Sequence, residues 1–418
     1  MPREAAGFCD GNCAASMATR PSPAQQRAIL CDGCDHVETA AELEARIAAK
    51  DRLTVKFGVD PTGSYLHLGH AVVLHKMQQF VELGHRVILL IGDFTARIGD
   101  PTGRKEARPR LDDAEIANNM ADYKAQAGKV LDLERIEMMY NSTWLAKLKL
   151  GDFVELAAQT TVAQLLARAE FAERYQTGVP IALHEFVYPI AVAYDSVVME
   201  ADVELGGSDQ LFNLLIGRDY QDYFKQPKQI CMTTPILEGT DGVIRMGKSR
   251  GNYIGLSEPP EDQFGKLMSI PDAMIPRYAQ LAAFRPAPEV FNLRAGLESG
   301  ALHPMAAKKD LAEEIVARYH GKEAAARARE RFEATVQRGE LPSSMAELEA
   351  GDWKTVGDAL LAAGFASSRR EAERLAAGGG VKLDGVAVQD ARRPWAAAEP
   401  VVLSAGNRRF VRILPRRS

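Results

Sequence analysis

The sequence predicts an α/β protein built on a Rossmann-like parallel sheet, followed by an α-helical domain and a small basic α+β domain. Three observations predict it. Two apolar strand-like runs, residues 53–59 and 86–91, flank an amphipathic helical run, which makes a βαβ unit and so a parallel sheet. Residues 258–340 have helical composition throughout, rich in Ala, Glu and Arg. Residues 351–418 carry 12 Lys/Arg against 7 Asp/Glu, a local charge of +5 on a chain whose total is −5.

In chain order, residues 1–25 read as an unstructured arm. Ala41, Leu43 and Ile47 have helical spacing within 40–49. Residues 53–59 form a short buried strand, closed by the turn Asp60-Pro61-Thr62-Gly63. A helix over 68–84 turns Val72, Val73, Met77, Phe80 and Val81 inward, and the strand 86–91 ends at Gly92-Asp93-Phe94. Residues 112–127 and 150–174 read as helices. Strand-like residues 203–205 run into Gly206-Gly207-Ser208-Asp209-Gln210, and 230–236 reads as a further strand. The expected division is 1–47 (arm and first helix), 48–256 (parallel-sheet domain with a helical insertion), 257–345 (helical domain) and 346–418 (small basic domain).

A chain of 418 residues, 46% hydrophobic and 26% charged, is long enough for two or three cored domains. No run approaches the ~20 apolar residues of a membrane span. The N-terminus lacks the apolar stretch of a signal peptide, so a cytoplasmic protein with reduced thiols and no membrane partner is expected. A basic tail on an acidic body fits a nucleic-acid partner; a solvated basic surface is the alternative. Cys9-x3-Cys13 and Cys31-x2-Cys34 have the spacing of a four-thiolate zinc site. The first pair lies in a low-information segment ahead of Met17, a possible alternative start, so no zinc is expected. Cys231 is expected to be an ordinary buried residue.

Two short motifs carry the chemistry. His67-Leu68-Gly69-His70 follows the first strand and turn, where a parallel sheet binds ligands and a helix N-terminus favours phosphate. His67 and His70 are three apart and share one helical face, and Gly69 lets a flat group approach the backbone. Arg245-Met246-Gly247-Lys248-Ser249 places two cations on a glycine-hinged loop that can close on a pyrophosphate.

These motifs resemble the two signatures of class I aminoacyl-tRNA synthetases. Further blocks are similar to the tyrosyl-tRNA synthetases of bacterial type: residues 56–70, Ile91-Gly92-Asp93-Phe94-Thr95, Gly99-Asp100-Pro101-Thr102-Gly103-Arg104, His184-Glu185-Phe186-Val187-Tyr188-Pro189, Tyr194-Asp195-Ser196-Val197, residues 203–210 and residues 247–254. The resemblance covers residues 25–418 and implies activation of L-tyrosine by ATP with Mg²⁺, transfer to tRNA(Tyr), and a homodimer. It implies that Thr62, His67, His70, Arg245, Lys248 and Ser249 serve the transition state. It gives Gly58, Asp60, Gly69, Gly207, Asp209 and Gln210 to ATP. It gives Lys56, Asp100, Tyr188, Val192 and Asp195 to tyrosine, with Asp195 accepting from the phenol and Asp100 and Tyr188 binding the ammonium. In the tail, Val356-Gly357-Asp358-Ala359-Leu360, Ser367-Ser368-Arg369-Arg370-Glu371-Ala372 and Gly380-Val381-Lys382-Leu383-Asp384-Gly385 resemble a small RNA-binding domain shared with ribosomal proteins and pseudouridine synthases. There Ser368 would cap a helix presenting Arg369, Arg370 and Arg374 to RNA phosphates, with Lys382 nearby.

The chain departs from the family pattern at three places. Arg245 stands for the usual lysine and Gly247 for the usual serine. Val192 stands where the family has a glutamine that helps bind the substrate ammonium. Losing a hydrogen bond to a charged group costs about 1.5–3 kcal/mol. Two alternative readings follow: a specialised paralogue that activates a tyrosine analogue or resists an adenylate-like inhibitor, and a non-catalytic RNA-binding descendant of a synthetase. The intact His67, His70, Asp209, Gln210 and Lys248 weigh against the second.

Overall fold

The computed structural model describes residues 20–61, 63, 65–100, 113–334, 345–396, 399–406 and 409–415. Thr62, Cys9 and Cys13 lie outside them. The chain divides into two compact units: residues up to 64 with 73–235, and residues 65–72 with 236–418.

The first unit is built on six strands: β1 (His36–Glu38), β2 (Thr54–Val59), β3 (Arg86–Ile91), β4 (Glu137–Tyr140), β5 (Val203–Gly207) and β6 (Ile230–Thr234), in the order β1-β6-β5-β2-β3-β4. Neighbours from β6 to β4 are parallel, and β1 runs antiparallel at the edge. The expected parallel sheet is present. Residues 87–91 of β3 are all buried, as they must be in a sheet covered on both faces. Chain order runs outward from β2 through β3 to β4 on one side, and from β5 to β6 on the other. The gap between β2 and β5 is therefore a switch point, and a ligand crevice opens at the carboxyl ends of those strands.

Three local expectations change. Residues 1–19 of the expected arm lie outside the described residues, and its last three join a helix, Pro23–Cys31, capped by Ser22: its Oγ accepts from Gln25 N at 3.3 Å, and its N–H donates to Gln25 Oε1 at 2.9 Å. Residues 150–174 form three helices (Leu150–Ala157, Val162–Leu166 and Ala169–Thr177), because Thr161 starts the second by accepting from Gln164 N at 3.2 Å. Strands β1 and β4 have no apolar run, being half-buried or exposed along their length. The helix Leu68–Glu82 is tied to the first helix by Lys76. This buried ammonium donates to Leu30 O at 2.9 Å, Asp32 O at 2.6 Å and Gln79 Oε1 at 2.6 Å, the partners that a buried cation requires.

In the second unit, helices Pro260–Met268, Ile275–Leu281, Ala287–Glu298, Pro304–His320 and Lys322–Phe332 account for the helical composition, around Phe264, Tyr278, Leu311 and Ile315. The tail forms a five-stranded sheet of β7 (Ala346–Glu349), β8 (Val381–Leu383), β9 (Val386–Ala387), β10 (Val401–Ala405) and β11 (Arg409–Leu414), in the order β7-β11-β10-β8-β9. Asp384 and Gly385, with φ of 46° and 81°, make the tight β8–β9 turn that an Asp-Gly pair favours. Helices Val356–Ala362 and Arg369–Ala377 complete a core of Val356, Leu360, Ala372, Ala376, Leu403 and Ile413.

Candidate active site

A cavity opens at the β2/β5 switch point, lined by Lys56 and Gly58 of β2, Leu205 and Gly206 of β5, and Tyr188, Val192 and Asp195 of the helix Leu183–Val198. Residues 188, 192 and 195 follow one another at near one-turn spacing, so one helix face supplies all three. The amino end of that helix is fixed by Glu185, which accepts from Ala182 N at 2.9 Å and pairs with Arg174 at 3.0 Å.

Asp195 is buried at one end of the cavity. Its Oδ1 accepts from Trp144 Nε1 at 2.7 Å and its Oδ2 from Asn141 Nδ2 at 3.1 Å. Asn141 also donates to Thr95 Oγ1 at 3.1 Å, and Thr95 donates to Asp60 Oδ1 at 2.7 Å. Lys56 is buried beside them; its Nζ lies 3.0 Å from Glu204 Oε1 and donates to Val192 O at 3.3 Å. Burial pushes the Asp195 carboxyl up to about 7. Lys56, Asn141 and Trp144 oppose that rise, and Glu204 adds to it. A carboxylate has about four acceptor sites, so two remain for a ligand hydroxyl. Gly92 keeps the network tight: a Cβ there would lie 2.1 Å from Asp60 Oδ1.

Asp100 reaches the cavity through Gln210, whose Nε2 donates to its Oδ2 at 2.9 Å. Asn213 donates to Gln210 Oε1 at 2.8 Å, and Arg168 donates to Asn213 Oδ1 at 3.3 Å while lying 3.5 Å from Asp100. The four side chains close a ring that orients the Asp100 carboxylate. Gly207 and Asp209 continue from β5 into the turn Ser208–Gln210.

The second unit holds both signature motifs. His67 opens the helix Leu68–Glu82, its carbonyl accepting from His70 N at 2.8 Å. The His67 N–H donates to His70 Nδ1 at 3.2 Å, which leaves Nε2 of His70 as the ring donor. The ring centroids lie 3.9 Å apart with the planes tilted by 47°, and a Cβ on Gly69 would press on the His67 ring at 3.1 Å. Burial lowers His67 to about 2, with help from His70, and His70 to about 4, so both are neutral donors at pH 7. Residues 66–68 pair with 254–256: Leu68 N donates to Ile254 O, and Leu256 N to Leu66 O, both at 3.0 Å. The cation loop is thereby joined to the histidine segment. Arg245 is half-buried next to buried Met246, and Lys248 and Ser249 are exposed on the turn Lys248–Arg250.

In the tail, Ser368 Oγ accepts from Glu371 N at 3.3 Å, capping the helix Arg369–Ala377. Arg369, Arg370, Arg374 and Lys382 are exposed. Cys31 and Cys34 are half-buried free thiols, and buried Cys231 donates to Leu214 O at 3.3 Å. Among the described residues no group of three or more His, Cys, Asp or Glu side chains could hold a metal, and no helix is long and apolar enough to cross a membrane.

Sequence reasoning did not single out Asn141, Trp144, Thr95, Arg168, Asn213 or Glu204. Asn141 follows β4, a strand with no buried residue to mark it, so its position carried no signal in the sequence.

The profile of the family described as tRNA synthetases class I (W and Y) matches residues 48–337, and that of the S4 domain matches residues 358–394. A tyrosine–tRNA ligase of Thermotoga maritima is 46% identical over 392 residues, covering 94% of this chain and 98% of its own. One of Moorella thermoacetica is 47% identical over 395 residues, covering 93% and 96%. A solved tyrosyl-tRNA synthetase of Archaeoglobus fulgidus in complex with L-tyrosine superposes with a TM-score of 0.60 at 23% identity, covering 73% of this chain and 99% of its own; at that identity it speaks to fold alone.

Proposed function

The chain belongs to the class I tyrosyl-tRNA synthetases, and from that premise we propose that it activates L-tyrosine with MgATP and transfers it to tRNA(Tyr). The observation that carries the choice of amino acid is Asp195, a buried acceptor held by Trp144 and Asn141 in the wall of the cavity. A phenol satisfies it. A phenyl ring leaves its remaining acceptor sites unfilled, which is costly in a buried site.

In the proposed reaction the tyrosine phenol donates to Asp195, and its ammonium faces Tyr188 and the Asp100–Gln210 pair. A substrate carboxylate oxygen attacks the α-phosphorus of ATP, the bond to the bridging oxygen breaks, and pyrophosphate leaves with Mg²⁺. The neutral imidazoles of His67 and His70 donate to phosphate oxygens, and Arg245 and Lys248 meet the charge that develops on the leaving group. Gly58, Asp60, Gly69, Gly207 and Asp209 shape the nucleotide site, with Thr62 and Ser249 as further phosphate contacts. The terminal ribose hydroxyl of the tRNA then attacks the tyrosyl carbonyl and AMP leaves. Positioning and charge stabilisation account for the rate, without a protein nucleophile. We assign residues 48–256 to this chemistry and residues 257–345 and 346–418 to the tRNA, in a cytoplasmic homodimer.

Three outcomes test the reading. Charging of tRNA(Tyr) with labelled tyrosine should fall about tenfold or more in the combined Arg369→Ala, Arg370→Ala, Arg374→Ala variant through a raised KM for tRNA, while tyrosine-dependent ATP–pyrophosphate exchange stays at the wild-type rate. Equal loss in both assays would detach the tail from tRNA binding.

With Asp195 near 7, the acceptor is protonated in acid. The kcat/KM for tyrosine should therefore rise with pH through about 7 and be about tenfold below its plateau at pH 6. The same upward shift links stability to pH: between about 4 and 7 the folded chain holds a proton that the unfolded chain has lost, so Asp195 favours the folded state most in acid and that stabilisation is lost as pH rises through 7. A pH profile flat from 6 to 8 would remove Asp195 from the phenol.

Val192 lines the cavity without a polar side-chain atom. Val192→Gln should lower the KM for tyrosine about tenfold, the lower end of the value of a hydrogen bond to a charged group. An unchanged KM means that this position does not reach the ammonium. If Val192 instead marks a paralogue, exchange with a substituted tyrosine should exceed that with tyrosine.

A further inference from the structure

Lys248 stands on a loop tied down on both sides. Gly247 N donates to Asn252 Oδ1 at 2.9 Å, and Asn252 Nδ2 donates to Asp241 Oδ2 at 2.6 Å and to Ile244 O at 3.2 Å. Beyond the loop, residues 254–256 pair with 66–68. These anchors fix the backbone and leave the Lys248 side chain exposed. Its ammonium lies 3.6 Å from the centroid of the Tyr65 ring. Tyr65 is 56% exposed, so core packing does not explain where the ring sits. A cation at that distance over an aromatic face is held by the ring quadrupole. Tyr65 is two residues before His67, so the ring holds the amine beside the segment that opens the helix.

We propose that Tyr65 is a positioning residue that presents the Lys248 ammonium at the His67–His70 turn before the nucleotide arrives. This rests on the reading that Lys248 acts on the leaving pyrophosphate. Without the ring, the four-carbon stem samples its rotamers in water, and the entropy of fixing it falls on the transition state. Tyr65 is not among the residues assigned above to tyrosine or ATP, so the effect belongs to kcat and leaves KM unchanged.

The test uses the full chain with Tyr65→Ala, Tyr65→Leu and Tyr65→Phe, measuring kcat and KM for ATP and tyrosine in pyrophosphate exchange. The expected result is a two- to fivefold fall in kcat for the alanine and leucine variants, roughly the value of an exposed cation–π contact, with both KM values unchanged and the phenylalanine variant at wild-type rate. Leucine controls for bulk and phenylalanine for the hydroxyl. Wild-type kcat in the alanine variant overturns the proposal. So does a rise, which would mean that the ring withholds the amine, or an equal fall with phenylalanine, which would assign the effect to the hydroxyl. An active wild type with unaffected variants sinks this inference alone; an inactive wild type sinks the functional reading and this inference with it.

Discussion

Lys248→Ala should reduce the rate of tyrosyl-adenylate formation by about a hundredfold, with the KM for tyrosine unchanged. The ammonium is exposed and lies over the Tyr65 ring. It therefore contributes little to the free enzyme, and its removal leaves no buried group unpaired. In the proposed reaction what is lost is a cation at the place where negative charge grows as pyrophosphate departs, a type of contact whose removal costs about 10²–10³ in kcat. Rapid-quench measurement of adenylate formation, alongside equilibrium tyrosine binding, separates the two quantities. A KM effect matching the kcat effect would place Lys248 in ground-state binding. Lys248→Arg should recover part of the rate, since it keeps the charge and changes the reach.

Asp195→Ala should lower kcat/KM for tyrosine by about a hundredfold or more and remove the preference for tyrosine over phenylalanine. The substitution deletes a charged acceptor, worth about 1.5–3 kcal/mol to the phenol. It also orphans Trp144 Nε1 and Asn141 Nδ2 and leaves the Lys56 ammonium with Glu204 as its remaining carboxylate partner. Asp195→Asn separates these effects: it preserves the volume and one acceptor oxygen, and its amide cannot satisfy all the donors that converge there. Competition between labelled tyrosine and phenylalanine in the exchange assay reads the selectivity directly. Retained selectivity in the alanine variant would move recognition of the phenol to another residue.

The parts of the fold written locally were legible. Strand β3 is a continuous apolar run, β2 carries Val55, Phe57 and Val59 at alternate positions, and the helix between them has one apolar face, so periodicity alone finds the βαβ unit. Strand β4 is short and exposed at its ends, which hides it, and with it goes the route by which Asn141 and Trp144 reach Asp195. Those contacts span 54 and 51 residues of chain and exist only once β4 is laid beside β3. The ring of Asp100, Gln210, Asn213 and Arg168 is hidden for the same reason, since its members come from three separate segments. His67, His70, Arg245 and Lys248 could be picked out because each pair shares a short motif, and the pairing of 66–68 with 254–256 puts both motifs into one unit. Val192 was visible only as a departure from a resemblance. It lies on the cavity wall, and the proposed function makes it a matter of binding.

The most direct test is ATP–pyrophosphate exchange by the full chain with L-tyrosine, L-phenylalanine or no amino acid. The account predicts exchange that depends on tyrosine, with kcat/KM for phenylalanine lower by about a hundredfold, the scale set by a buried carboxylate left without its donor. Equal exchange with phenylalanine, or exchange at background with both, would contradict it.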